Sequence, residues 1–202
     1  MTDPDPERPR WLRDPTVARG AAYDRRFEQL AASGADVHGE ASLVADLAPG
    51  PKVLDAGCGT GRVAIELHQR GFEVTGTDVD PAMLEAARAK APELRWHHAD
   101  LVELDLADRF DVAVLAGNVL IFVTPGTEGD VVRQIAGHLV PGGLCIAGFT
   151  VRRGGYHPAA LDEAASGAGL ELVARWSTWD RRAWSSGHDY QVSVHRLTDA
   201  PG

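Results

Sequence analysis

Residues 53–61 read VLDAGCGTG, in which an apolar run ends in Asp55 and three glycines follow at alternate positions. Glycine lacks a Cβ atom, so it reaches backbone conformations with positive φ and lets a ligand approach the main chain closely. A helix-like stretch from Arg62 to Arg70 comes next, with Gly71 placed as its C-terminal cap. The pattern therefore predicts a strand, a ligand-binding turn and a helix.

A second acid ends the next predicted strand. Residues 72–80, FEVTGTDVD, predict a strand that stops at Asp78, and Asp80 is placed to cap a helix whose first residue is Pro81. A carboxylate at the position of Asp78 can accept hydrogen bonds from both hydroxyls of a ribose. Arg62 stands where a dinucleotide-binding loop would carry its third glycine, so a nicotinamide or flavin site fits less well.

These elements resemble the first motifs of the class I S-adenosylmethionine-dependent methyltransferases, in which a Rossmann-like sheet holds the cofactor beside the end of its first strand. The resemblance implies S-adenosyl-L-methionine as cofactor and S-adenosyl-L-homocysteine as product. The first two motifs would supply the cofactor-binding residues Asp55, Gly57, Cys58, Gly59, Gly61, Arg62, Asp78, Val79 and Met83. In this scheme Gly57 and Gly59 approach the methionine portion. Asp55 binds its ammonium group, directly or through water, and Arg62 is a candidate partner for its carboxylate.

The third and fourth predicted strands add further candidates. Asp100 and Leu101 match the family positions that bind the adenine amino group and lie against the ring, although an Ala-Asp-Leu step also makes an ordinary helix cap. Residues 110–116 form an apolar run typical of a parallel strand covered on both faces. Asn118 follows, and it either orients an acceptor, closes the cofactor pocket or is a plain turn residue.

The rest of the chain completes the expected fold. A helix start at 127–130, a Pro-Gly-Gly turn at 141–143, a helix at 158–166 and strands at 170–177 and 190–196 follow in order. We predict an α/β fold: a Rossmann-like, mostly parallel seven-stranded sheet with helices on both faces and a C-terminal antiparallel hairpin. A disordered tail is predicted for residues 1–15 and one domain for 16–202. Within the domain, lid helices occupy 16–48 and the core 52–197.

The segment before the first strand is a candidate lid. Tyr23, Phe27 and Leu30 share one face of a predicted helix, and Tyr23 either reaches the cofactor or acceptor or is a core residue. His38 is a candidate general base because an imidazole takes up protons near neutral pH, and His157 is a poorer one. A helix cap or a surface position is the other interpretation of His38.

Composition narrows the function. The chain has 202 residues and a net charge of -9, and this negative charge argues against general binding of nucleic acid. Two cysteines, no long apolar run and no cationic leader predict a cytoplasmic protein without a membrane partner. Adjacent His97 and His98 point to opposite faces of a strand, so no metal site is predicted. Three tryptophans within 176–184 line a pocket mouth, form an interface or anchor a loop.

The sequence thus predicts methyl transfer to a small-molecule acceptor by in-line displacement, carried out by a monomer or homodimer. Such a reaction needs alignment of the acceptor and exclusion of water rather than a nucleophilic side chain. The alternatives are a non-catalytic S-adenosylmethionine-binding regulatory protein and, less favoured, a nicotinamide-dependent oxidoreductase.

Overall fold

The computed structural model describes residues 8–14, 19–34 and 36–198, and its strands form one mixed sheet. The strands are β1 Lys52–Ala56, β2 Glu73–Asp78, β3 Arg95–His98, β4 Phe110–Leu115, β5 Leu139–Thr150, β6 Leu170–Trp176 and β7 Tyr190–Leu197. Their order across the sheet is β3-β2-β1-β4-β5-β7-β6. Strands β1 to β5 are parallel, whereas β7 is antiparallel to β5 and β6. The predicted fold is confirmed.

Helices surround this sheet on both faces. In the described part of the chain they are α1 Arg10–Arg13, α2 Ala21–Ala32, α3 Gly39–Leu47, α4 Arg62–Gln69, α5 Pro81–Lys90, α6 Val119–Phe122, α7 Glu128–Gly137 and α8 Pro158–Gly167. A 3₁₀ turn at Leu101–Glu103 follows β3.

Alternate residues of the central strands feed two separate cores. Val53 and Val112 pack with α3 and α4 on one face, and their neighbours Leu54 and Ala113 pack with α7 and α8 on the other. Successive strand residues point to opposite faces, so a strand covered on both sides must be apolar at nearly every position. This explains the continuous apolar runs in the sequence.

The turn of the C-terminal hairpin lies at the same end of the sheet as the carboxyl ends of the parallel strands. Thr150, the last residue of β5, pairs with Tyr190, the first residue of β7. The connection from β6 to β7 therefore lies beside the loops that follow β4 and β5. Ligands of open parallel sheets bind at this end.

Local chemistry sets several boundaries. The Asp80 carboxylate accepts a hydrogen bond of 3.0 Å from the backbone N–H of Ala82, so Asp80 caps α5 as predicted.

The structure differs from the turn predicted at residues 141–143. Those residues lie inside β5, where the register slips between the pairs Phe110–Leu139 and Val112–Leu144. The Pro-Gly-Gly step is thus an irregularity within a long strand.

Part of the predicted disordered tail has a defined place. Residues 10–13 form α1, and the ring of Trp11 lies edge-on to Phe122 at 5.6 Å between centroids. An apolar partner for this side chain explains why the segment is held against the domain despite its Pro-rich, charged composition. Residues 1–7 and 15 of the predicted tail lie outside the described residues.

Candidate active site

A cavity of about 820 Å³, counting its open mouth, lies at the carboxyl ends of β1, β2 and β4. The predicted site residues on its wall are Tyr23, Asp55, Gly57, Cys58, Gly59, Arg62, Asp78, Val79, Met83, Asp100 and Leu101. The wall does not include three other candidates, His38, Gly61 and Asn118. The fold thus gathers side chains that are up to 78 positions apart in the sequence.

Gly57 brings the main chain to the floor of the cavity. Its φ is 78°, and the backbone N–H groups of Gly57 and Cys58 both donate to the carbonyl of Thr77, at 2.8 and 2.9 Å. A Cβ on residue 57 would lie 2.6 Å from Cγ2 of Val119, closer than real Cβ atoms come. Both the conformation and the space therefore require glycine.

Gly61 has a steric role at the start of α4. It precedes α4 with a φ of 83°, and a Cβ there would lie 2.5 Å from Cη2 of Trp96 and 3.3 Å from Cβ of Ala87. The third glycine of the turn is explained by this close approach of α4 to Trp96. Its position gives no support to a contact with the cofactor.

Asp55 is buried at the end of β1. Its Oδ2 accepts a hydrogen bond of 3.0 Å from the backbone N–H of Ala64, in the first turn of α4. Burial raises the pKa of the Asp55 carboxyl to about 7, against the opposing effect of the Arg62 charge. The hydrogen bonds of the described residues leave Oδ1 free to accept one from a ligand.

Asp78 ties the glycine turn to the next loop. Its Oδ2 accepts from the backbone N–H of Gly59 and its Oδ1 from that of Asp80, both at 2.8 Å. Burial raises the pKa of this carboxyl above its usual value, although the two backbone donors oppose the shift. A carboxylate oxygen can accept two hydrogen bonds, so each oxygen has capacity for one ligand hydroxyl.

The two interpretations of Asp100 are compatible. Its Oδ1 accepts a hydrogen bond of 3.1 Å from the backbone N–H of Val102 and so caps the 3₁₀ turn. Asp100 and the buried Leu101 also lie on the cavity wall.

Cys58 of the glycine turn lies on the same wall. Burial raises the pKa of its thiol well above the ordinary value, so the thiol is neutral.

Arg62 is occupied by a protein carboxylate. Its guanidinium forms a two-pronged pair with Glu40 of α3, at 3.0 and 2.5 Å, and also donates to the carbonyl of Val37. Burial opposes the charge, but the hydrogen bonds to Glu40 raise the pKa of Arg62 overall. The prediction that Arg62 binds the ligand carboxylate did not include this partner, which already neutralises the guanidinium.

The N-terminal segment is fastened across the cavity mouth. The indole Nε1–H of Trp11 donates to Oδ2 of Asp80 at 3.0 Å, and Arg19 lies 3.4 Å from the same oxygen. Asp24 of α2 accepts from the hydroxyl of Thr60 at 2.5 Å and pairs with Lys90 at 2.9 Å. These side-chain contacts hold α1 and α2 against the glycine turn and α5.

Tyr23 lies on the cavity wall, as the lid hypothesis expects. Its ring meets that of Trp11 edge-on, with 6.2 Å between centroids, and its hydroxyl would lie 3.8 Å from a Cβ built on Gly117. Leu30, on the same predicted stripe, is instead 40% exposed. The side chain of Phe27 lies outside the described part of the structure.

The two candidate histidines lie elsewhere. His38 precedes α3, and its Nδ1 is 3.2 Å from a carboxylate oxygen of Glu66 on the neighbouring α4. His157 precedes α8 and lines a second cavity. Neither is on the wall of the candidate site, so the geometry gives no support to either as its general base.

Asn118 holds the backbone together. Its Oδ1 accepts a hydrogen bond of 2.7 Å from the backbone N–H of Thr150, and its own N–H donates to the carbonyl of Gly148 at 3.2 Å. Its φ of 74° is a conformation that Asn adopts more readily than most residues. The structure thus shows the turn chemistry of Asn118. Its catalytic and cofactor roles stay predictions, and Asn118 is not on the cavity wall.

Several residues of the wall were not predicted from the sequence. Trp11 lies in a Pro-rich segment that was predicted to be disordered, and the other missed wall residues are Pro9, Val63, Ala116, Gly117 and Val123. Glu40 is not on the wall, and its role is recognised only through its pair with Arg62, 22 positions away. Gly117, directly after the apolar run of β4, was the strongest available signal, because loops at strand ends carry ligand contacts.

The tryptophan-rich loop serves two purposes. Trp179 fills the space above Gly148, where a Cβ would lie 2.4 Å from its ring, and donates to the hydroxyl of Tyr190 at 3.2 Å. Burial raises the pKa of the Tyr190 hydroxyl to about 12. Trp184 instead stacks with Arg175, 5.3 Å from the ring centroid. The loop thus packs beside the core and lines the second cavity, not the first.

No group of three or more His, Cys, Asp or Glu side chains in residues 8–14, 19–34 and 36–198 is arranged to hold a metal ion. None of the helices formed by these residues has the length and apolar character needed to cross a membrane.

Residues 53–143 match a family described as a methyltransferase domain. The magnesium-protoporphyrin O-methyltransferase of Rhodobacter capsulatus is 34% identical over 42% of the chain and 39% of its own length. The dTDP-4-amino-2,3,4,6-tetradeoxy-D-glucose N,N-dimethyltransferase of Saccharopolyspora spinosa is 33% identical over 46% and 38%. The alignments thus span less than two fifths of the length of these curated relatives.

A solved structure gives broader coverage. The TehB-like SAM-dependent methyltransferase of Corynebacterium glutamicum superimposes with a TM-score of 0.80 and 36% identity, covering 88% of this chain and 96% of that one. The chain therefore belongs to the S-adenosylmethionine-dependent methyltransferases, which confirms the resemblance of residues 53–101. S-adenosylmethionine is the cofactor of that family.

Proposed function

We propose that this protein transfers a methyl group from S-adenosylmethionine to a small-molecule acceptor by in-line displacement. The observation that carries the proposal is the set of three carboxylates, Asp55, Asp78 and Asp100, that share one cavity with a glycine turn. Each carboxylate is fixed by a backbone N–H and keeps hydrogen-bonding capacity toward the cavity.

The residues fit the cofactor in shape and charge. The close passage of Gly57 beneath α6 leaves main chain, rather than side chain, as the floor of the cavity. The carboxylates outnumber the cationic groups on the wall, where Arg62 is neutralised by Glu40. A positively charged ligand is therefore favoured over an anionic one. We assign the methionine portion to Asp55 and Gly57, the ribose to Asp78 and the adenine to Asp100 and Leu101.

The bound cofactor supplies an electrophilic methyl group, so the protein has to position the acceptor and exclude water. Tyr23, Val119 and Phe122 give the cavity an aromatic and aliphatic side suited to both tasks. The described wall contains no His or Lys side chain. Acceptors whose nucleophilic atom is already unprotonated, such as a neutral amine or a thiolate, suit this wall best.

The N-terminal segment acts as a lid in this proposal. Trp11 and Asp24 bind α1 and α2 to residues that border the cofactor cavity, so cofactor exchange requires those contacts to open. We place the reaction in the cytoplasm, which is supported by two buried, unpaired cysteines, Cys58 and Cys145.

Calorimetric titration with S-adenosylmethionine, S-adenosylhomocysteine and NADH tests the cofactor assignment. We expect saturable one-site binding of the two adenosyl ligands and none of NADH. Turnover is then measured on matched amine, thiol and alcohol acceptors. Binding without turnover on the whole panel would favour a regulatory protein, and saturable NADH binding alone would overturn the proposal.

A further inference from the structure

A second cavity, of about 640 Å³ with its mouth, lies at the same end of the sheet and shares no wall residue with the first. It is bounded by Val151 directly after β5, the start of α8, Arg175 of β6 and Trp184 of the loop between β6 and β7. The proposed methyl transfer does not use it.

Arg175 is held rigidly at this cavity. Its Nη2 donates to Oδ1 of Asp162 at 2.5 Å, its Nε donates to the hydroxyl of Ser193 at 3.0 Å, and its guanidinium stacks with Trp184. The contacts of the described residues leave Nη1 without an acceptor. A guanidinium already fixed in place loses little conformational entropy when it binds a planar anion.

Other donors at the same place lack acceptors. The indole Nε1 of Trp184 is buried without a hydrogen-bond partner among the described residues. At the start of α8, the N–H groups of Ala160 and Leu161 reach the carbonyl of His157, but Ala159, on the cavity wall, lies where a helix leaves its N–H free. Buried polar groups are nearly always satisfied, so the indole N–H calls for an acceptor, whereas the N–H of exposed Ala159 is open to water as well as to a ligand.

Two arginines beside the cavity add positive charge to a chain that is acidic overall. The whole protein carries -9, yet Arg152 and Arg153 follow Val151 directly, are exposed and form no ion pair with a described residue. The other arginine pair on this end is engaged, since Arg181 binds Asp46 and Arg182 lies near Asp180.

One of the acids near this cavity is already paired. Burial acts to raise the pKa of Asp162, but hydrogen bonds from Arg175 and His195 hold it below its ordinary value. Asp162 is therefore ionised and already neutralised by its partners. Asp189, whose carbonyl accepts a hydrogen bond from the N–H of Val151 at 2.7 Å, is exposed, so its carboxylate is in water, where charges are strongly screened.

We propose that the second cavity is a binding site for the phosphate or carboxylate group of a small molecule, held by Arg175, Trp184 and the start of α8 and attracted by Arg152 and Arg153. The site goes beyond the proposed methyl transfer and does not depend on it. It adjoins the cofactor cavity, because the N–H of Thr150, next to Val151, binds Asn118 in the loop after β4.

The test follows the indole N–H resonance of Trp184 in a ¹H–¹⁵N spectrum of the full chain, assigned with the Trp184→Phe variant. Inorganic phosphate and acetate are titrated separately at constant ionic strength. We expect a saturable shift with a dissociation constant of about 1 mM or lower for at least one anion. The anion that binds more tightly identifies the group preferred.

Charge variants provide the matched comparison. The double variant Arg152→Gln/Arg153→Gln should weaken binding roughly fivefold, as expected for two exposed cations near an anion. Arg133→Gln, which removes an exposed arginine of α7, should leave it unchanged. An absent or non-saturable shift in the folded protein, or equal affinities in the double variant and the control, would overturn the proposal. Saturating S-adenosylhomocysteine should not displace the anion, and its own binding is read separately, so failure of the anion site is distinguishable from failure of the proposed function.

Discussion

Two polar clusters lie at the same end of the sheet but are built differently. At the cofactor cavity, Asp55 and Asp78 are held by backbone N–H groups from the turns next to them. In the hairpin, Asp162, Arg175 and His195 satisfy one another through their side chains, from α8, β6 and β7. Backbone donors fix a carboxylate without neutralising it. A charged side-chain partner, such as Arg175 beside Asp162, neutralises the carboxylate that it binds.

The difference separates acids that keep their charge for a ligand from an acid, Asp162, whose charge is already paired. An acid fixed by N–H groups keeps its negative charge available to a cationic ligand. The ion pair of Asp162 with Arg175 joins α8 to β6 and leaves Nη1 of Arg175 without an acceptor among the described residues. Each cluster should therefore control a different property.

The largest effect is expected from Gly57→Ala. The added Cβ would meet Val119 at 2.6 Å in a backbone conformation with φ of 78°. Strain of about 1–3 kcal/mol and overcrowding of about 1–3 kcal/mol should both lower the free energy of unfolding. Calorimetry should detect at least a hundredfold loss of S-adenosylmethionine affinity, because the cavity floor is displaced.

Gly71→Ala is the matched control, since residue 71 has a φ of 94° but nothing within 4 Å of an added Cβ. It should lower stability through strain alone and leave cofactor affinity unchanged. The double variant Gly57→Ala/Val119→Ala should recover part of the stability lost by Gly57→Ala. Equal losses at positions 57 and 71 would refute the steric account.

The contrast between backbone and side-chain partners also explains how much of each cluster the sequence predicted. Asp78 at a strand end and Asp80 as a helix cap depend on residues within a few positions, so the sequence pattern suffices. The partner of Arg62 could not be predicted in this way, because Glu40 comes from another helix. The residue type alone also did not decide the role of Asn118, because an asparagine amide can stabilise a turn or bind a ligand. Its bond to Thr150 depends on the pairing of distant strands.

The hairpin cluster was not predicted at all. Gln191, Ser193 and His195 alternate with Val192 and Val194, so the strand was recognisable from its period of two. The polar residues would ordinarily be assigned to solvent. They are buried instead, because α8 covers that face and Arg175 reaches across it from β6.

Asp55→Asn tests the charge of the first cluster. The amide can keep the hydrogen bond to Ala64 but not the negative charge, so we expect tenfold to a hundredfold weaker S-adenosylmethionine binding. The wild-type carboxyl has a pKa of about 7, and a cationic ligand should lower it. Wild-type binding near pH 7 should therefore release protons, measured by calorimetry in buffers of different ionisation enthalpy.

The same residue should affect stability with a definite sign. The folded pKa is above the unfolded value of 3.8, so the folded chain holds the proton more tightly and loses stability as the pH rises from about 4 to about 7. The Asp55→Asn variant lacks this loss, and its stability relative to wild type should increase over that range. Exposed Asp108→Asn is the control. Proton release that persists in Asp55→Asn would exclude Asp55 as its source.

His195→Gln should show the opposite pH dependence. Burial lowers the pKa of His195 below 6.5, so the unfolded chain takes up the proton first and folded stability falls as the pH drops below about 6.5. Glutamine can still donate to Asp162 but does not titrate. Thermal unfolding should therefore show that the free energy of unfolding of this variant, relative to wild type, increases from pH 7 to pH 5 by up to about 1 kcal/mol. His97→Gln, on the exposed edge strand, should show no such trend.

The smallest effect is expected from Trp11→Phe. Phenylalanine keeps an aromatic ring against Phe122 and Tyr23 but loses the N–H that donates to Asp80 at 3.0 Å. If α1 is part of the lid, S-adenosylhomocysteine should dissociate about threefold to tenfold faster in stopped flow, since one hydrogen bond no longer has to break. Arg19 still binds the same carboxylate, which limits the loss.

Trp96→Phe removes an equivalent indole hydrogen bond, to the carbonyl of Ala91 at 2.8 Å, at a place outside the lid. It should lower the free energy of unfolding without changing the dissociation rate. Equal acceleration in both variants would mean that loss of any such bond loosens the domain. Acceleration in Trp11→Phe alone would show that ligand release is governed by side-chain contacts of the N-terminal segment, even though the cavity itself is fixed by the backbone.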